Sequence, residues 1–236
     1  MKKNNTSLEV LYEDNHLIAI NKSSGDIVQA DKTGDQPLSE KVKNYLKFKY
    51  NKPGNVFLGT IHRIDRPTSG AILFAKTSKA LSRMNEKFRE NRVEKTYIAI
   101  VKNKLPKIND IIENYLLKNQ KKNKSFISNS KDGKFSKLEY KLIKTFEKYY
   151  AYQIFPYTGR HHQIRVQLSS AGSPIKGDLK YGAKRNNKDG SINLHASQIA
   201  FDHPTRKQKI KIIAPLPKTD IWQLVRININ LNNTSL

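Results

Sequence analysis

One carboxylate, Asp65, sits among two guanidiniums and an imidazole in the stretch His62-Arg63-Ile64-Asp65-Arg66-Pro67-Thr68-Ser69-Gly70. A solitary aspartate can act as a nucleophile or a base if it is kept ionised and desolvated where the reacting atom arrives. A nearby arginine lowers its pKa and orients it. The bland alternative is an acid in a turn, neutralised by Arg63 and Arg66. A second basic cluster, Thr158-Gly159-Arg160-His161-His162-Gln163-Ile164-Arg165, offers Arg165 as a partner for Asp65. Such a partly buried pair would cost about 3–5 kcal/mol to break.

Other chemistries lack their residues. With no cysteine there are no disulfides, no thiolate catalysis and no Cys-containing zinc site. No Gly-x-x-x-x-Gly-Lys-Ser/Thr loop occurs, and Gly54 and Gly59 lack the lysine. His62, His195 and His203 have no i,i+4 partner and no acidic cluster, and the adjacent His161 and His162 would face different sides of a helix, so no metal site is expected. Two-metal hydrolysis and ordinary glycoside hydrolysis both need a second carboxylate nearby, and Asp65 stands alone.

Scaffold segments must hold these residues. Strand-like runs flank the Asp65 loop, Val56 to Ile61 before it and Ala71 to Lys76 after it, the latter buried on both faces. Pro67 presets the bend and Gly70 lets the chain swing back. Leu8 to Tyr12 and His16 to Asn21 read as a hairpin across Glu13-Asp14-Asn15, with Ile27 to Ala30 a third strand. Leu38, Val42, Tyr45 and Leu46 predict a helix over about 38–50, and Thr77 or Ser78 caps a second one running to about Asn91. Glu94 to Val101 alternates, with Tyr97 and Ala99 on one side. Residues 106–137, the most polar part, read as a solvated hairpin or as an arm that clamps nucleic acid. Leu138 to Phe146 and Tyr149 to Phe155 pair through Glu147-Lys148. A helix opens at Thr158 and closes at Gly172-Ser173-Pro174, and residues 176–190 form a long loop. Ile192 to Phe201, Gln208 to Ile213 and Ile221 to Ile229 complete the chain as strand, strand and short helix or strand. No linker or repeat divides the chain, so residues 1–236 are expected to form a single domain.

The 44 basic against 20 acidic residues give a net charge of +24. That imbalance is self-repelling unless a polyanion is the partner. Nucleic acid is the natural one, through counterion release at phosphates. An anionic membrane surface is the rival, but no lone amphipathic basic helix is present. Part of the lysine excess also fits a compositional bias, which the many Asn and Ile residues suggest. Polar Asn4-Asn5-Thr6-Ser7 stands where a signal peptide needs an apolar core, and no run is long enough to span a bilayer, so a cytoplasmic protein is expected.

The stretch His62 to Gly70 resembles the His-Arg-Leu-Asp-Arg-x-Thr-Ser-Gly signature of the RluA family of RNA pseudouridine synthases. Lys95-Thr96-Tyr97 resembles the family's Lys-x-Tyr strand, and Thr158 to Arg165 its Thr-Gly-Arg-x-His-Gln-Ile-Arg segment. Pro174-Ile175-Lys176-Gly177-Asp178, Leu194-His195-Ala196 and His203-Pro204 continue in the same order, over about residues 8–217. The resemblance implies isomerisation of uridine to pseudouridine in RNA without metal, nucleotide or organic cofactor. It puts the catalytic aspartate at Asp65, its partner at Arg165 and the active-site tyrosine, stacked on the base and helping to remove the C5 proton, at Tyr97. Arg63 matches the residue that enters the helix where the uridine leaves. Arg66, Arg160 and His161, with Lys121 and Lys122 of the polar arm, are the other expected RNA contacts.

The fold implied is α+β, a mixed and largely antiparallel central sheet with flanking helices and a basic cleft, acting as a monomer. Ser23 and Gln167 depart from the family's proline and histidine, with no catalytic consequence expected. The family's optional N-terminal RNA-binding domain has no counterpart before Leu8, so specificity is expected from the catalytic domain and its basic loops. Whether ribosomal or transfer RNA is the target stays open. So does the bond-cleavage route, by attack on sugar or base or by proton abstraction. A non-catalytic RNA-binding protein on the same scaffold is the competing class, and a nucleoside-bond hydrolase a third.

Overall fold

The computed structural model describes residues 8–31, 33–129, 132–219 and 221–225. The strand that follows the Asp65 loop is β4 (Ser69–Ala75), a largely apolar run buried at every position. It can be so because helices cover both its faces. Ala71, Leu73 and Ala75 pack with Ala80 and Met84 of α2 (Ser78–Arg89). Ile72 and Phe74 point the other way, to Val42 and Leu46 of α1 (Leu38–Lys49). The apolar residues of α1 recur every four positions and so form one buried stripe. The hydroxyl of Thr77 caps α2 by accepting from the Ala80 N–H at 3.2 Å.

All eleven strands of the described residues join one sheet. The order begins β1 (Val10–Glu13), β2 (Leu17–Lys22), β4, β10 (Leu194–Asp202) and β5 (Val93–Val101). It continues through β9 (Tyr150–Pro156), β8 (Lys134–Thr145) and β6 (Asn109–Asn119) to β7 (Lys124–Ser128). β3 (Gly59–Thr60) adds to β4, and β11 (Lys209–Ile213) to β10. Every pairing is antiparallel but one, β4 with β10, so the sheet is mixed and largely antiparallel as expected.

That parallel pairing fixes the strand following the Asp65 loop, matching Ser69 with His195 and Gly70 with Ala196. Gly70 has φ +115°, and a Cβ there would lie 2.3 Å from the Ala196 carbonyl oxygen. Gly70→Ala is expected to destabilise the protein by about 2–4 kcal/mol, from backbone strain plus overpacking. An unchanged urea midpoint would refute the close approach.

His195 is fully buried, its Nδ1 2.9 Å from the Ser69 hydroxyl and its Nε2 3.3 Å from the Ala214 carbonyl. Burial pushes its pKa down to about 4. The unfolded chain therefore takes up this proton first, so stability is full above pH 6.5 and falls as pH drops towards 4. At pH 5 the loss from this one imidazole is about 2 kcal/mol. Urea midpoints at pH 7.5 and 5.0 test this, and His195→Gln is expected to shrink the difference. Equal losses in both proteins would place the titration elsewhere.

Several local expectations change. Residues 27–30 form no strand, because Ile27 and Val28 carbonyls instead accept from Leu38 and Ser39 at the start of α1. Of Val56 to Ile61 only Gly59–Thr60 pairs. The third helix, α3 (Gln163–Ser170), starts after the two histidines, because His162 adopts a left-handed conformation (φ +55°) that a helix cannot contain. His161 and His162 therefore do not face apart; their rings stack at 3.7 Å. The 176–190 loop holds a 3-10 turn, Leu179–Tyr181. Residues 221–225 are helical, while 226–229 and Lys131 lie outside the described residues. The polar segment forms β6, β7 and the start of β8, with Lys121 and Lys122 exposed at the β6–β7 tip.

Alternation along β5 divides two cores. Tyr97 and Ala99 face Ile164 and Leu168 of α3, while Ile98 and Ile100 face Trp222 and Val225. Gln167, buried in α3, donates to the Ile112 carbonyl and to Asn114, each at 3.1 Å, tying α3 to β6.

Candidate active site

Asp65 lies in the turn before β4, with its carbonyl accepting from the Thr68 N–H at 3.0 Å. The turn is clamped from below by Lys22, whose side chain is almost wholly buried. Its ammonium donates to the carbonyls of Ser23, Asp26 and Arg66 at 2.8–3.1 Å. Burial pushes Lys22 down to about 8, opposed by the negative charges of Asp26 and Asp65. A lysine on β2 thus fixes the residue next to Asp65, which no spacing argument along the chain reveals.

Arg165 reaches Asp65 from α3, Nη1 donating to Oδ2 at 2.9 Å. Its other edge is held by Asp178, with Nε to Oδ2 at 2.7 Å and Nη2 to Oδ1 at 2.8 Å. Asp178 is 1 % exposed and Arg165 5 %, so this is a buried, bidentate, charge-assisted pair. It occupies the Nε–Nη2 edge of the guanidinium and turns an Nη1 N–H towards Asp65. The two carboxylates hold the Arg165 pKa above its ordinary value against the opposing effect of burial. The Tyr181 ring lies 5.0 Å from the guanidinium carbon. Asp65 itself is 28 % exposed, so it is gripped on one side and open on the other.

The open side is a cleft lined by Arg63, Asp65, Thr68, Lys95, Tyr97, Thr158, Arg160, His162, Arg165 and their apolar neighbours Ile64, Pro156, Ile164 and Leu194. Tyr97 is half-buried. Burial, reinforced by the charge of Asp65, raises its pKa well above the usual phenol range. The hydroxyl of Thr68, buried to 1 % exposure, has no hydrogen-bond partner among the described residues. Among the described residues no group of three or more His, Asp or Glu could hold a metal ion.

The structure therefore brings Asp65, Tyr97 and Arg165 to one cleft, with Arg63 and Arg160 on its walls. The turn-neutralisation reading of Asp65 fails: Arg66 pairs with Asp35 at 2.6 Å and Arg63 bonds Gln29 at 3.1 Å. Arg66, His161, Lys121 and Lys122 do not line the cleft. His161 instead bonds Ser125 at 2.9 Å and Asn123 at 3.1 Å, docking β7 beside the site. Asp178, Tyr181, Lys22 and His162 do not stand out from residue types and spacing. Asp178 and His162 each lie within a motif that carries the family resemblance, which was the available signal for them.

The fold is that of solved pseudouridine synthases. It superposes on Human RNA Pseudouridylate Synthase Domain Containing 4 with a TM-score of 0.77 over 93 % of this chain and 92 % of that one, at 22 % identity. For Human RNA Pseudouridylate Synthase Domain Containing 1 the TM-score is 0.71 over 95 % and 90 %, also at 22 % identity. Identities that low establish the fold alone.

The sequence narrows the class. Residues 16–170 match the family model described as RNA pseudouridylate synthase. "Ribosomal large subunit pseudouridine synthase C" of Buchnera aphidicola subsp. Acyrthosiphon pisum is 40 % identical over 215 residues, 88 % of this chain and 67 % of that protein. Its namesake in Vibrio vulnificus is 36 % identical over 213 residues, 88 % and 65 %. The chain belongs to the RNA pseudouridylate synthase family, a family of isomerases, and spans about two thirds of the length of these relatives.

Proposed function

We propose that this protein isomerises uridine to pseudouridine in RNA, with large-subunit ribosomal RNA as the substrate. The observation that carries the reaction is Asp65, gripped by Arg165 at 2.9 Å and open to a cleft shared with Tyr97. The ribosomal substrate is supported by the names of the relatives. A binding module needs cations and aromatics and has no use for an anion at the bottom of its cleft.

The uridine must leave its stack, at a cost of a few kcal/mol, offset by phosphate contacts and by Arg63 at the cleft mouth. Asp65 then drives cleavage of the C1′–N1 bond, the freed uracil turns and C5 joins C1′. The C5–H bond breaks, its proton passing to a base in the cleft, and N1 takes up a proton in place of its bond to the sugar. Tyr97 is the stacking face for the base and, in line with the family resemblance, helps to remove the C5 proton; burial and the charge of Asp65 favour its protonated form in the resting enzyme. Arg160 at the wall of the cleft, and Arg66, His161, Lys121 and Lys122 outside it, complete the RNA contacts in this reading. The chain acts as one catalytic domain and as a monomer, without metal or organic cofactor, in the cytoplasm. Among the described residues no helix is long and apolar enough to cross a membrane.

Mapping pseudouridines in total RNA from cells with and without the protein tests the substrate. Sites lost from large-subunit ribosomal RNA are the expected result, and losses confined to transfer RNA would refute it. Replacing Lys121 and Lys122 with Ala is expected to weaken RNA binding and to reduce its salt slope by about 1 for each phosphate no longer neutralised. An unchanged slope would show the β6–β7 tip to be solvated only.

A further inference from the structure

His162 combines four observations that the reaction as described does not use. Its side chain is 7 % exposed, yet it lines the cleft. Its backbone is left-handed, at φ +55° and ψ +22°. A non-glycine residue there is strained, and such strain persists where the surroundings enforce it. Its Nε2 makes no hydrogen bond among the described residues and stands 3.7 Å from Asp65 Oδ2. Its Nδ1 is 2.9 Å from the Tyr181 hydroxyl.

The surrounding hydrogen bonds select its tautomer. The Tyr181 oxygen already accepts from the Ser125 N–H at 2.8 Å. Tyr181 is 4 % exposed, so its hydroxyl proton needs an acceptor, and among the described residues the one in reach is His162 Nδ1. The opposite tautomer would set N–H against O–H and strand the phenolic proton. The proton of His162 therefore sits on Nε2, the atom turned towards Asp65. Burial holds the imidazole neutral, with its pKa down to about 3 despite the charge of Asp65.

We propose that His162 is a catalytic residue whose Nε2–H donates to an oxygen of the flipped uracil. Tyr181, anchored by Ser125, is the positioning residue that sets the tautomer. This rests on the proposed isomerisation. When the C1′–N1 bond breaks, its electron pair departs with the uracil and spreads onto the ring oxygens. A fixed donor in a water-poor cleft stabilises that charge without having to reorganise. A neutral N–H suits the position better than a cation, which would pair with Asp65 and hold it away from the sugar or base. The chain from β7 through Tyr181 also explains why the β6–β7 hairpin is docked at the site rather than free.

The test uses the full chain and large-subunit ribosomal RNA transcripts labelled with tritium at uridine C5, under single-turnover conditions with saturating enzyme. His162→Leu is expected to slow tritium release by about 100-fold, the scale of removing one such donor, with RNA affinity within about threefold of wild type. His162→Gln, whose amide can donate from nearly the same place, is expected to recover at least about tenfold of that loss. Nitrogen-15 NMR of the imidazoles is expected to show the Nε2–H tautomer for His162, and a mixture of tautomers in Tyr181→Phe, whose rate falls as well. Release by His162→Leu within about threefold of wild type, equal losses in the Leu and Gln variants, or an Nδ1–H signal in the wild type would each overturn the inference. A wild-type protein that releases no tritium from these transcripts overturns the ribosomal-RNA isomerase reading on which this inference rests, and the inference with it. An active wild type matched by an active His162→Leu overturns this inference alone.

Discussion

Asp65→Asn is expected to abolish tritium release from C5-labelled uridine in RNA, a fall of at least about 10³-fold in single-turnover rate. The substitution keeps the size of the side chain and one acceptor for the Arg165 Nη1, now 2.9 Å away. It removes the negative charge on which both attack and proton abstraction depend. The buried pair between Arg165 and Asp178 does not involve Asp65, so the fold is expected to survive. RNA affinity is expected to hold or to rise slightly, since a carboxylate beside a phosphate chain repels it. Release within tenfold of wild type would remove Asp65 from the mechanism.

The second large effect concerns Arg165→Met. It strips Asp65 of its guanidinium and leaves Asp178, 1 % exposed, without either of its charge-assisted bonds. Orphaning a buried charge in this way costs about 3–5 kcal/mol. Turnover is expected to vanish under conditions where the protein is still folded, with RNA binding mostly kept. Adding Asp178→Asn removes the stranded charge, and the pair is expected to regain much of the stability and none of the activity. The two residues touch, so their effects are expected to be strongly non-additive. Normal turnover at saturating RNA, with binding alone impaired, would count against Arg165 as the partner of the acid. Destabilisation that persists in the double variant would show that packing of the guanidinium on Tyr181, not the stranded carboxylate, is what the fold needs.

Local pattern carried much of this molecule. The apolar run of β4, the four-residue spacing in α1, the Thr77 cap and the alternation of β5 each act through neighbours a few residues away. The pairing of Asp65 with Arg165 was legible as an expectation because two basic motifs, far apart in the chain, resembled one family. Misjudged segments were those whose backbone is satisfied from elsewhere. Residues 27–30 look like a strand but spend their carbonyls on the start of α1. His161 and His162 look helical, but a left-handed residue ends that possibility.

The sequence by itself determined a basic, cysteine-free chain with a lone acid in a turn, and a set of ordered motifs that named its family. Only the tertiary structure decided which cation meets that acid, excluding Arg66 by giving it Asp35 and supplying Asp178 to aim Arg165. It alone placed Lys22 beneath the turn and set the proton of His162 through Tyr181 and Ser125. The reason is geometric: a hydrogen bond is directional and reaches about 3 Å. Which donors and acceptors come within that reach across 100 residues of chain is set by strand register and helix packing, not by spacing along the sequence.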